Sequence, residues 1–338
     1  MCDRDERFAP DTQPRVAVVI VTYNSASVLG GCLDSLVDQG VRISSVVVAD
    51  NASRDDSVAI ARQATDLPIR TVQLGRNAGY AAAINAGIAE IRLDRVDAVF
   101  VTNPDCRLRS GAIRRLADAL REPGRGIAIP LVLNPGGSLQ PSLRRAPTVG
   151  RAWAEALLGG NLAGRLGTLG ELVMDPREYE RAGSTSWGTG AAMLLSAQTI
   201  RDVGPWDESF FLYSEETEYS LRARDRGHGT WYEPAAVVEH IGGEGTANAA
   251  LSALMVVNKV ILFRRRNSRS ASWAYFAAIV VNESIRALAG RRTSRATAVA
   301  LLRRSRRGQI IRSLTAADHE GTGTGRAGRE MVNGGTWS

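Results

Sequence analysis

The sequence predicts an α/β fold: a central, mostly parallel sheet flanked by helices, then a helical C-terminal region and a disordered tail. Three observations predict it. Runs rich in Val and Ile alternate with helical-period segments between residues 15 and 105, each run ends in Asn or Asp, and after residue 245 apolar helical segments alternate with arginine clusters. Strand and helix alternating at this spacing imply right-handed crossovers and parallel strands. With 338 residues, 44% hydrophobic and 23% charged, the chain can bury a sizeable core.

Residues 1 to 14 read as a polar leader, because Met1 to Arg7 is charged and lacks the apolar stretch of a signal peptide. Arg15 to Thr22, R-V-A-V-V-I-V-T, is a continuous β-branched run, as expected of a strand buried on both faces. It ends at Tyr23-Asn24-Ser25, where Ser25 suits the cap of a helix to about Gln39 with Leu29, Leu33, Leu36 and Val37 on one face. A second strand, Val46 to Ala49, stops at Asp50, and a helix begins near Asp55 with Val58, Ile60 and Ala61 inward. Ile69 to Leu74 is a third strand; Asn77-Ala78-Gly79-Tyr80 then leads into an Ala-rich helix through Ile91. Ala98 to Thr102 is the fourth strand, ending in Asn103-Pro104-Asp105.

Open α/β sheets bind ligands beyond the carboxyl ends of their strands. Thr22, Tyr23, Asn24, Asp50, Asn77, Asn103 and Asp105 fall on that one edge. Turn chemistry accounts for one or two such residues, whereas four strands ending alike point to a binding edge. No G-x-G-x-x-G follows the first strand and no G-x-x-x-x-G-K-[ST] occurs, which argues against a dinucleotide-binding domain and a P-loop. A nucleotide bound here has no glycine nest for its phosphates, so they need a metal.

A second cluster lies in Phe210 to Tyr219, F-F-L-Y-S-E-E-T-E-Y, where Glu215, Glu216 and Glu218 fall within four positions among aromatic residues. Carboxylates so placed suggest a raised pKa and a role in proton transfer. An acidic helix N-terminus stabilised by the helix dipole is the structural alternative.

The net charge of +7 concentrates in Arg264-Arg265-Arg266, Arg291-Arg292, Arg303-Arg304 and Arg306-Arg307. Such clusters suit phosphate, nucleic acid or an anionic membrane, or form a solvated basic face. Without interleaved aromatics they predict no specific nucleic-acid recognition. Cys2, Cys32 and Cys106 form neither a zinc motif nor a disulfide framework, which fits a reducing cytoplasm. No apolar stretch is long enough to span a bilayer; Trp273 to Val281 is too short.

In order and spacing, V-A-V-V-I-V-T-Y-N, V-V-V-A-D-N-A-S, L-G-R-N-A-G-Y-A-A-A-I-N and V-T-N-P-D resemble the GT-A glycosyltransferases of family 2, above all the bacterial rhamnosyltransferase-like branch. G-S-L-Q-P-S-L-R-R-A-P-T (137 to 148), W-G-T-G-A-A-M-L-L (187 to 195) and E-P-A-A-V-V-E-H (233 to 240) extend the resemblance over about residues 15 to 265. It implies a GT-A domain over 15 to 245, a helical region over 246 to 312 and a tail over 313 to 338.

By the resemblance, Thr22, Tyr23, Asn24 and Asp50 hold the base and ribose of a nucleoside diphosphate sugar, with Asn77, Gly79, Asn85 and Asn103 lining the pocket. Asn103-Pro104-Asp105 stands for the family's D-x-D element with Asn in place of the first Asp. Asp105 and His240 are then the ligands of Mg2+ or Mn2+. Glu216 falls on the catalytic base, where Asp is usual, with Glu215 as runner-up and Glu218 orienting the helix or Arg222. Trp187, Gly188, Thr189 and Gly190 form the acceptor side, Trp187 being a sugar platform or a core residue.

The implied reaction is sugar transfer with inversion to a hydroxyl of a glycan, lipid-linked glycan or secondary metabolite. dTDP-L-rhamnose is the favoured donor, with UDP-galactofuranose and UDP-glucose as alternatives. A catalytically silent sugar-nucleotide-binding or scaffold protein is the competing function. Apolar segments alternating with arginine clusters after residue 245 suit either packing on the catalytic domain as a helical lid or peripheral contact with the inner face of the membrane; packing is the expectation, in a protein expected to be cytoplasmic.

Overall fold

The computed structural model describes residues 13–242, 248–303, 307–312 and 315. Nearly all of the polar leader and of the tail, together with Arg304 and Arg306, lies outside the described residues.

The first half follows the alternating pattern: β1 (Arg15–Thr22), α1 (Ala26–Asp34), β2 (Arg42–Asp50), α2 (Ser57–Gln63), β3 (Ile69–Gln73), α3 (Tyr80–Ala89) and β4 (Ala98–Thr102). β1 is central because its Val and Ile side chains are covered on both faces, and it pairs in parallel with β2 and β4. β3 adds in parallel to β2. Thr22 stands opposite Asp50, and Asp50 opposite Gln73, so the polar strand ends form one edge.

α1 is shorter than the apolar period predicts. Gln39 turns inward, its amide donating to the Ser35 and Arg109 carbonyls and accepting from the Ile113 amide. The chain leaves the helix to let it do so, which buries Leu36 but leaves Val37 52% exposed. α2 likewise begins two residues after Asp55, whose carboxylate is engaged by the Ala26 and Ser57 amides. Of its expected inward side chains Ala61 is buried, while Val58 and Ile60 are half-buried.

The second half of the sheet has no counterpart in that repeating pattern. The chain there runs through β5 (Cys106–Leu108), α4 (Ala112–Ala119), β6 (Arg125–Leu133), β7 (Leu143–Arg144), α5 (Val149–Leu158), α6 (Gly160–Arg165), β8 (Gly183–Thr185), β9 (Trp187–Gly188), β10 (Ala192–Ser196), α7 (Ala197–Val203), α8 (Glu215–Asp225) and β11 (Gly229–His240), with β7 and β9 forming a separate two-stranded sheet and β8 pairing with β11. The order is β3-β2-β1-β4-β10-β6-β11-β5, with antiparallel β10 inserted between β4 and β6. This mixed half carries Glu216 and His240 back to the edge where β1, β2 and β4 end.

The C-terminal helices are α9 (Ala249–Arg266), α10 (Arg269–Leu288) and α11 (Arg292–Leu302). Phe263 of α9 stacks on Tyr275 of α10, and both belong to a core that also contains Ala152 of α5. The arginine-rich helices therefore bury an apolar face against the α5 layer. Among the described residues, no helix is long and apolar enough to cross a membrane.

Candidate active site

Thr22 and Asp50 are fully buried at the strand ends, with the threonine hydroxyl donating to Asp50 Oδ1 at 3.0 Å. Asp50 Oδ2 accepts the Ser53 amide, which fixes the loop after β2. Asn51 knits that loop to the next: its amide donates to the Gly79 carbonyl and accepts from the Ala78 amide. Asn24, in the left-handed region at φ 50°, bonds to Ser53 and to the Arg54 amide. The result is a cavity of about 410 Å3 lined by Tyr23, Asn24, Asn77, Gly79, Asn103 and Asp105. Asn85 is not brought to it; its amide clamps Trp206 and Glu208.

At the mouth of this cavity Asp105 Oδ1 stands 3.4 Å from His240 Nε2. Antiparallel pairing of β11 with β5 sets His240 opposite Cys106 and so brings the two together. His240 Nδ1 lies 3.0 Å from Gln140 Oε1 and Nε2 lies 3.4 Å from Asn103 Nδ2, an arrangement that suits a proton on Nδ1 and a lone pair on Nε2. Asp105 Oδ1 is buried without a hydrogen-bond donor. Two acceptors this close need a proton or a metal ion between them, so the pair fits a divalent cation. Burial raises the Asp105 pKa, but a proton on His240 Nε2, where the ring carries one, and the backbone amides of Asp105 and Gly242 outweigh it and hold the carboxyl below its usual range. Cys106 Sγ is also within 4.8 Å of the pair, yet burial keeps it a thiol, bonded to the Ala191 carbonyl. It does not fit as a ligand.

The acidic stretch forms the start of α8. Tyr213 and Ser214 are both left-handed, at φ 68° and 76°, and turn the chain sharply into the helix. Non-glycine residues rarely adopt this conformation, and it concentrates at functional sites. Glu215 is 2% exposed and its Oε2 has no hydrogen-bond partner. Burial, then the charge of Glu216, pushes its carboxyl well above the usual range. Glu216 is half-buried. Glu218 is occupied by a two-pronged ion pair with Arg222, at 2.8 and 2.9 Å.

Tyr80 joins the two groups. Burial first, then the neighbouring Cys106, Glu215, Glu216 and Asp105, raise its phenol well above the ordinary tyrosine value. It stays protonated and donates to the Gly190 carbonyl at 2.8 Å. Of the W-G-T-G turn, Gly190 is the member beside Glu216; a Cβ there would lie 3.5 Å from the Glu216 Cβ. Trp187 is buried with Nε1 bonded to the Arg145 carbonyl, Gly188 packs on Ile129, and the Thr189 amide bonds to Ser142. A larger cavity of about 700 Å3, lined by Arg144, Arg145, Asp175, Arg177 and Tyr232, shares no residue with these groups.

Gln140, the hydrogen-bond partner of His240, carries no assignment from the sequence. Its only sequence signal was a place inside the G-S-L-Q-P-S segment, since its contact with His240 spans 100 residues.

The glycosyl transferase family 2 model matches residues 17–155. The chain is 31% identical over 265 residues to the N-acetylglucosaminyl-diphospho-decaprenol L-rhamnosyltransferase of Mycobacterium tuberculosis, covering 76% of this chain and 85% of that protein. In fold it is similar to the mannosyltransferase PcManGT of Pyrobaculum calidifontis, solved with GDP-Man and Mn2+, at a TM-score of 0.52 and 17% identity over 92% of this chain and 81% of that one. It is also similar to GalNAc-T7, solved with UDP, GalNAc and Mn2+, at a TM-score of 0.54 and 14% identity. That match covers 73% of this chain and about half, 48%, of the other.

Proposed function

The chain belongs to glycosyl transferase family 2, on its rhamnosyltransferase-like branch, and from that premise we propose that it transfers L-rhamnose from dTDP-L-rhamnose, with inversion, to a hydroxyl of a lipid-linked glycan. One observation carries the proposal: Tyr80 and Asp105 line the same 410 Å3 cavity at the strand ends, and Tyr80 bonds Gly190, which stands against Glu216. A proton acceptor and a cation site thus flank a space able to hold a nucleotide sugar.

Tyr23, Asn24, Asn77 and Gly79 receive the nucleotide, and Asp50 and Thr22 brace the loops that shape its pocket. Glu216 takes the proton of the acceptor hydroxyl as it attacks the anomeric carbon, because an alcohol is a poor nucleophile until that proton leaves. Attack on the face opposite the departing diphosphate inverts the centre in one displacement. Glu215, buried and with its carboxyl pushed up, leaves the carboxylate work to its more accessible neighbour. Asp105 and His240 hold Mg2+ or Mn2+, which when bound supplies positive charge to the leaving diphosphate. Tyr80 and the Gly190 backbone wall off this space and restrict water.

The lipid-linked acceptor is supported by the activity of the mycobacterial relative, and the divalent ion by the Mn2+ in the two solved neighbours. Arg264 and Arg269, exposed where α9 meets α10, offer positive charge to an anionic membrane, where such an acceptor resides, whereas Arg265 and Arg266 are taken up by Asp207 and Asp225.

The test is Glu216→Gln. Donor affinity should stay within about threefold, while transfer falls by at least about 100-fold, as expected when a general base is removed. Near-native turnover would remove Glu216 from this role. EDTA should stop transfer in the unmodified protein, and full turnover after chelation would remove the metal from it.

A further inference from the structure

Two consecutive left-handed residues, Tyr213 and Ser214, deliver Glu215 and Glu216 to the cleft. Such a conformation is strained for a residue with a Cβ and persists only where its surroundings enforce it. The enforcing contacts come from the C-terminal region. Asn258 of α9 is fully buried, and its amide nitrogen donates to both the Leu212 carbonyl, at 2.9 Å, and the Tyr213 carbonyl, at 3.1 Å. Its oxygen accepts from Arg307 Nε at 2.7 Å, and the same guanidinium donates to the Ser209 carbonyl. Arg265, two turns further along α9, pairs with Asp207 at 2.7 Å, bonds to Ser209 Oγ and lies 4.8 Å over the Phe210 ring. α9 is itself fixed from the opposite side, where Lys259 pairs with Glu171 at 2.8 Å and Glu155 at 3.7 Å.

We infer that Asn258 is a positioning residue for the Glu215–Glu216 pair, and that α9 with Arg307 is a clamp holding segment 207–214 in the shape that aims those carboxylates. The inference rests on Glu216 being the base. It gives the C-terminal helices a part in the chemistry: they fix one wall of the site from outside the sheet. An asparagine suits the task because its NH2 supplies two donors to two adjacent carbonyls while its oxygen remains for the arginine.

The experiment compares the full chain with Asn258→Ala, Asn258→Asp and Arg307→Ala, reading kcat, donor KM and Kd, the pH profile of kcat, melting temperature, and hydrogen exchange of the amides at 212–216. Asn258→Ala should lower kcat by about 100-fold with donor Kd within about threefold, the size of loss that follows a misplacement near 1 Å. Asn258→Asp keeps the acceptor for Arg307 but turns a carboxylate oxygen on the two carbonyls, so it should fall as far. If Asn258 only anchors Arg307, Asn258→Asp will retain wild-type kcat and the inference fails. Arg307→Ala, which leaves Asn258 in place, should exchange faster at 212–216 and lose about 10-fold in kcat; it serves as the test if Asn258→Ala does not fold. The pH profile should move in the Asn258 variants, whereas a fall in the folded fraction alone would scale it without moving it. Wild-type kcat in Asn258→Ala, or unchanged exchange at 212–216, overturns the clamp. An active Glu216→Gln enzyme instead overturns the assignment of the base, and the exchange measurement still decides the clamp.

Discussion

The phenol of Tyr80 donates to the carbonyl of Gly190 across 110 residues of sequence, at 2.8 Å. That single bond ties the first residue of α3, on the nucleotide side, to the turn beside Glu216. The Tyr80 amide in turn donates to the Phe211 carbonyl at 2.9 Å, two residues before the left-handed turn into α8. Tyr80 thereby sets the spacing between the nucleotide pocket and both walls of the proposed transfer site.

Tyr80→Phe leaves the Gly190 carbonyl without its donor and should cost about 1–2 kcal/mol of stability. Because the glycine stands against Glu216, kcat should fall about 10-fold while donor KM changes little. Thermal melts and initial rates at saturating donor measure the two effects. An equal rise in KM with kcat intact would mean that Tyr80 serves nucleotide binding alone.

Gly79→Ala and Gly190→Ala should behave in opposite ways. At Gly79 φ is 92° and ψ is 174°, and a Cβ would lie 2.2 Å from the Phe211 carbonyl oxygen. The variant should lose more than about 2 kcal/mol and with it donor binding, since the contact is backbone on backbone and cannot relax cheaply. At Gly190 the nearest atoms to a Cβ are 3.5 Å away, in Glu216 and Tyr80. Gly190→Ala should melt within about 1 kcal/mol of the wild type and raise acceptor KM by narrowing the approach to Glu216. Melting curves and acceptor titrations separate the pair.

The nucleotide edge was legible in the sequence because strands buried on both faces write themselves as Val and Ile runs, so the polar residue that ends each run marks the sheet edge. Asp50 follows from that rule, and the match of Ala98–Thr102 to its expected strand shows its strength, whereas Asn77 follows an edge strand, I-R-T-V-Q, that is only partly buried. Asn85 illustrates its limit: of the same residue type and in the same motif, it faces Trp206 because its place on α3 turns it away. The antiparallel β10 carries no period-2 signal, being buried on both faces, and only the fold reveals it as the strand beside β4. Gln140 and Asn258 act through contacts that close long loops, and nothing local to either residue announces them.

Gln140→Leu should weaken metal binding about 10–100-fold, the usual effect of removing the group that orients a histidine ligand. Gln140 accepts from His240 Nδ1, and without it the ring can rotate or take the tautomer that protonates Nε2. Titration with Mn2+, followed calorimetrically on the donor-bound protein, measures it. Unchanged affinity would show that His240 takes no part in holding the ion.

Glu215→Gln should stabilise the protein, by an amount that grows with pH. Burial and the neighbouring Glu216 raise the Glu215 carboxyl well above its ordinary 4.5. Between the unfolded and folded values the native chain therefore binds a proton that the unfolded chain has released. Stability from this group is complete below about pH 4.5 and is lost as pH rises through the folded value. Glutamine keeps the shape and cannot ionise, so it escapes that loss. The melting temperature of Glu215→Gln relative to the wild type should accordingly be higher at pH 8 than at pH 5. A difference that does not change with pH would mean that Glu215 titrates alike in the folded and unfolded chains. Repeating the melts on Glu216→Gln adds a check on direction: removing the second cause of the shift lowers the Glu215 value, so the decline in stability should begin at the same pH and end sooner.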